Sequence, residues 1–171
     1  EYAQHWAFTP PQKRSPAATD DRTWGRDALD AIVLARLQRG GLAPAPEADR
    51  ATLLRRAHLV LTGLPPSPEE VDAFLHDDAP DAYERRVDAL LQRPAAAEHQ
   101  AAAWLDLARF ADTYGYQSDF ECRTWPWRDW LIAAFQRDLP MDRFVQELIA
   151  GDLLPDANQQ TRIATAFFRL H

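Results

Sequence analysis

Four aspartates, Asp106, Asp112, Asp119 and Asp129, fall within the run from Trp104 to Phe135. Carboxylates are the raw material of general acid–base chemistry, provided two of them face each other about 5–9 Å apart in a cleft. A second chemistry overlaps the first. Asp112, Gln117, Asp119 and Glu121 offer oxygen donors around Gly115, which permits a tight turn, and such donors suit calcium. Their spacing matches no calcium-loop pattern, however, and Tyr114 stands where a further oxygen ligand would help. A third possibility is recognition rather than reaction. Tyr114, Tyr116, Phe120, Trp125 and Trp127 form an interaction surface if they face solvent, on which a sugar or a partner could stack. Cys122, beside Arg123, is the single cysteine, so no intrachain disulfide, paired-cysteine zinc site or Cys-x-x-Cys-His haem motif exists in this chain. His58 lies between Leu54 and Leu61 and reads as a core-edge residue. No Ser/His/Asp arrangement, phosphate loop or zinc spacing is visible.

The elements that must position these groups are helical. Residues 1–25 read as an irregular, proline-containing segment, broken by Pro10, Pro11 and Pro16 and anchored by Trp6 and Phe8 onto the body. From there helix signals follow one another. DALDAIVLARLQRGG places Leu29, Ile32, Val33 and Leu37 on one face and stops at Gly40-Gly41. DRATLLRRAHLVLTG runs from an Asp49 cap to Gly63. In LPPSPEEVDAFL, Ser67 caps, Pro68 takes the first helical position and Glu70 completes a capping box. DAYERRVDALLQRP reads as capped by Asp81. The alanine-rich segment after Pro94 reads as helical into Trp104, ending near Gly115. Helices are expected near Pro126–Asp138 and Met141–Ala150, and from an Asn158 cap to about Leu170. No strand-period run of real length is present. The expectation is an all-α fold, a single domain of about eight short helices spanning 26–171.

A helical wheel over this run adds a local expectation. Asp112 falls at the flank of an apolar arc built on Trp104, Leu107, Ala108 and Ala111, with Asp106 and Arg109 opposite as a surface pair. On the following helix Arg128 falls between Phe135 and Ile132, beside an arc of Trp127, Trp130, Leu131 and Ala134. One misplaced charge of each sign predicts a structural ion pair, Asp112–Arg128, across the hairpin.

Composition excludes several classes. The formal net charge of −7 opposes a nucleic-acid or anionic-membrane partner. No apolar run approaches the roughly 18 residues of a membrane span. The chain begins at Glu1 with no signal-like apolar stretch and reads as a processed chain or a fragment.

Several stretches, in order and across nearly the whole chain, resemble the planctomycete-type cytochrome-associated domain of unknown function. They are HWAFTPP, GLAPAPEADRATLLRRAHLVLTGLPPSPEEVDAFL, DAYERRVDALL, WLDLARFADTYGY, WRDWLIAAF and ELIAGDLLPD. The resemblance implies a large exported bacterial protein, periplasmic or extracellular, often carrying a cytochrome c-like module. It implies no cofactor in this chain itself, haem c in neighbouring domains, and those domains as partners. Such proteins typically continue past the point matching ATAFFRL into a Cys-x-x-Cys-His haem site, which this chain does not reach. Asp106, Arg109, Asp112, Asp119, Arg128, Asp129 and Asp152 match the family pattern without an attached role. Three positions depart from it: Ala103 replaces a frequent histidine, Val60 an aspartate and Tyr114 an asparagine. The function expected from this is a helical scaffold or docking domain of a haem-associated electron-transfer protein, not itself catalytic. A secreted carbohydrate- or calcium-binding module and a hydrolase using paired aspartates are the alternatives.

Overall fold

The computed structural model describes residues 5–12, 24, 25, 27–115 and 118–169. Tyr116 and Gln117 therefore lie outside the described residues. The described elements are helical: eight α-helices and short 3-10 turns, with no β-strand among the described residues beyond one isolated bridge. The all-α expectation holds. The chain divides into two compact units, Glu1–Glu47 and Ala48–His171. No helix among the described residues is long and apolar enough to cross a membrane.

In the first unit a 3-10 turn, Trp6–Phe8, is capped by His5, whose Nδ1 accepts from the Ala7 N–H. Helix α1 (Ala28–Arg39) starts at Asp27, whose carboxylate accepts from the N–H groups of Leu29 and Asp30. That satisfies two of the donors every helix start leaves open.

The second unit holds α2 (Arg50–Thr62), α3 (Pro68–Leu75), α4 (Ala82–Leu91), α5 (Pro94–Leu107), α6 (Trp125–Gln136), α7 (Met141–Ala150) and α8 (Gln159–Ala164). Helix α2 packs on α3, α4 and α5, and α5 packs on α6. Helix α8 packs on α6 and α7. Asp49 caps α2, and Ser67 and Glu70 close the expected capping box on α3. Asn158 and Thr161 form another on α8. Asp81 departs from expectation. Its side chain makes no cap bond and instead pairs with Arg85 one turn on.

Around Leu54, Phe74 and Ala82 a small core joins α2, α3 and α4. Arg50 spans its edge, with its guanidinium over the Phe74 ring and donating to the carbonyls of Phe74 and Asp77. Glu70 accepts from Arg93, and Arg93 with the Ser67 N–H holds its carboxyl below the usual range. His58 is buried here as a core residue; burial lowers its pKa against the pull of the Glu70 carboxylate. The larger core centres on Trp127, Trp130 and Phe144. Phe144 meets Trp104 edge-on at 4.9 Å and stacks with Trp130 at 5.4 Å, arrangements aromatic quadrupoles favour. The Trp127 indole N–H donates to the Ala164 carbonyl at 3.1 Å, tying α6 to α8.

Candidate functional site

The Trp104–Phe135 run divides at a point the sequence hides. Helix α5 ends at Leu107, well before Gly115. Its terminator is Arg109, in the left-handed conformation at φ 51°. The Phe110 N–H reaches the Leu105 carbonyl at 2.9 Å and the Arg109 N–H reaches that of Asp106 at 3.1 Å. This is a Schellman ending with arginine where glycine is usual. Helix α6 ends the same way at Asp138, φ 50°.

Asp112 therefore sits in a loop, not on a helix flank, and it is exposed. The expected Asp112–Arg128 pair does not form. Arg128 donates through Nε and Nη2 to its chain neighbour Asp129, at 3.1 and 3.0 Å. Asp112 makes no ion pair among the described residues, and neither do Asp106 and Arg109. The Schellman stop ends the helix before Asp112, so a helical wheel does not apply at that position.

The loop has an ordered neck. Thr113 and Glu121 form an isolated antiparallel bridge, and the Cys122 N–H donates to the Asp112 carbonyl at 2.7 Å. Thr124 donates its hydroxyl to the Ala111 carbonyl at 3.1 Å. Gly115 turns with φ 61°, a region side chains disfavour, and its N–H is held by Asp119 Oδ1 at 3.0 Å. The Thr113 hydroxyl and that Gly115 N–H hold the Asp119 carboxyl below its ordinary pKa. Asp119 thus closes a turn. Glu121 approaches Arg123 at 3.9 Å, with both side chains in water. Among the described residues no three His, Cys, Asp or Glu side chains come together as a metal would need; Gln117, the remaining member of the expected calcium set, lies outside them. Asp129 is bound to Arg128, and Asp152 is exposed.

The aromatic set splits as well. Tyr114, Phe120 and Trp125 stand 71%, 69% and 50% exposed, whereas Trp127 is fully buried. Trp127 belongs to the core because it lies on the inner face of α6 with Trp130, Leu131 and Ala134. Beside the loop, where α6 begins and α8 passes, a cleft of about 820 Å³ opens. Tyr114, Cys122, Arg123, Trp127, Arg162 and Ile163 are among its lining residues. Cys122 is half-buried in that wall.

The buried carboxylate with arginine partners lies elsewhere, on α7, and was not among the expected site residues. Glu147 is 5% exposed, between Phe144 and Leu148 on the inner face of α7. Arg143 Nε donates to its Oε1 at 2.9 Å, and Arg137 Nη2 stands 3.5 Å from Oε2. Arg143 also reaches Asp156, and that contact lowers the Asp156 pKa. The network ties the α6–α7 turn and α7 to the α7–α8 connection. The signal was available: Glu147 falls on the apolar arc of MDRFVQELIA with Arg143 one turn before it.

A family model described as a protein of unknown function, DUF1549 (PSCyt2), matches residues 28–171. No curated protein and no solved structure matches the chain.

Proposed function

The chain belongs to the DUF1549 family, and from that premise we propose that it is a helical docking module of an exported protein, working beside a haem c-bearing domain of the same polypeptide. One observation carries the reading: three large aromatics, Tyr114, Phe120 and Trp125, are held in water around one ordered loop neck. Exposed aromatics grouped this way favour an interface, because covering them removes apolar surface from water while their rims stay polar. An acidic body carrying a small aromatic contact suits the brief, low-area encounters of electron-transfer partners. In this reading the chain contributes position and contact, while the redox chemistry belongs to the haem domain.

The test uses the product of the complete gene, made in a host that matures c-type cytochromes. A pyridine haemochrome spectrum should show haem c. Replacing Tyr114, Phe120 and Trp125 together by alanine should then leave haem content unchanged and loosen the contact of this module with the haem domain, read as faster proteolytic separation of the two. A product without haem c, or a triple variant cleaved at the parent's rate, refutes the reading.

A further inference from the structure

The cleft beside α8 has a charge character opposite to that of the chain. The protein carries 26 acidic against 19 basic residues. Yet among the described residues the only charged side chains lining the cleft are two arginines, Arg123 and Arg162. Among the described residues Arg123 has only the long, solvent-exposed contact with Glu121, which is worth little in water. Arg162 makes no ion pair among the described residues. The rest of the wall joins aromatic and aliphatic groups, from Tyr114, Trp127, Ile163 and Ala166, to the neutral polar side chains of Thr124, Asn158 and Gln159. A volume of about 820 Å³ lies within the roughly 300–1,000 Å³ of small-molecule sites. Apolar walls with a few placed polar groups are also what such sites have in common.

We propose that this cleft binds a small organic anion: a ligand with a planar or apolar body against Tyr114 and Ile163 and an acid group between Arg123 and Arg162. Arginine suits the role because its planar fork meets a carboxylate or a similar oxyanion with two parallel hydrogen bonds. The site shares Tyr114 with the docking surface, but Arg162, on which the test turns, lies outside that aromatic set.

The probe is anilinonaphthalene sulfonate, a planar anion, compared with its uncharged parent, N-phenylnaphthylamine, by fluorescence titration of this chain. The anion should bind saturably at one site. Arg162→Glu should weaken it about tenfold or more, the size of one lost charge-assisted hydrogen bond. Arg162→Lys should retain most of the affinity, and the uncharged parent should bind Arg162→Glu as it binds the original chain. Ala166→Trp, which fills the cleft, should abolish both. The two Arg162 variants differ only in charge at an exposed position, so they decide the matter even where Ala166→Trp perturbs the fold. Absence of saturable binding, or an anion affinity that Arg162→Glu leaves unchanged, overturns the proposal.

Discussion

The α5–α6 pair and the α7–α8 pair each pack together, and each has carboxylates and arginines close by in sequence. Their fates differ. Between α5 and α6 the chain runs through a long loop, and Asp112 and Arg128 reach water or a next-door partner. Around α7 the partners stand close in sequence, and Glu147 stays buried between Arg143 on the same helix and Arg137 in the α6–α7 turn. Glu147 remains inside because Arg143 lies one turn before it and Arg137 in the short turn that leads into its helix, so no long loop separates the partners. Desolvation is otherwise too costly for the pair to repay.

The sharpest way to break this contrast is Glu147→Ala. It should destabilise the chain by about 3 kcal/mol, the lower end for a broken buried pair, because both arginines can turn towards water. Urea unfolding measures it; a loss near zero would mean that Glu147 is no anchor. Next comes Gly151→Ala, at the end of α7. A side-chain carbon there would overlap the carbonyl oxygens of Thr161 and Glu147, both fixed backbone. The expected loss is up to about 3 kcal/mol, as for strained overpacking, seen as a lower midpoint in the same experiment. An unchanged midpoint would show that α7 and α8 can slide apart freely.

On the α5–α6 side the expected effects are smaller and one has the opposite sign. Arg109→Gly should stabilise by about 0.5–1 kcal/mol, since glycine relieves the left-handed strain but loses more freedom on folding; a fall in thermal midpoint would contradict the Schellman assignment. Asp112→Asn should change stability by less than about 0.5 kcal/mol, as for an ordinary surface site. A larger loss would restore the hairpin ion pair. The smallest effect is one of pH. The folded pKa of Asp119 lies below its ordinary 3.8, so its contribution to the turn is present above that value and is lost as pH falls through the folded pKa. The Gly115 amide resonance should titrate with a midpoint below 3.8, and Asp119→Asn should abolish that titration. A midpoint above the ordinary value would mean that the turn does not favour the carboxylate.

Much of this architecture could be read directly from residues. Asp49, Ser67 with Glu70, and Asn158 cap the helices they were expected to cap, because a short polar side chain before an apolar period has one efficient use. The reading failed where a stop was made by an unlikely residue. Glycine is the usual left-handed terminator, so Gly115 drew the end of α5 away from Arg109, and the error passed on to Asp112. The aromatic set was legible by type but not by side: Trp125 and Trp127 are two residues apart and point into water and into the core respectively. The cleft was not legible, because Arg123 and Arg162 come to line one cavity only through tertiary packing.

The neck of the 113–121 loop is closed by main-chain bonds from the Tyr114 N–H to the Phe120 carbonyl and from the Cys122 N–H to the Asp112 carbonyl. Backbone bonds do not read side-chain identity. What lies beyond the neck is therefore an exchangeable cassette: evolution, or a protein engineer, can rewrite its length and lettering without retuning the helices that carry it.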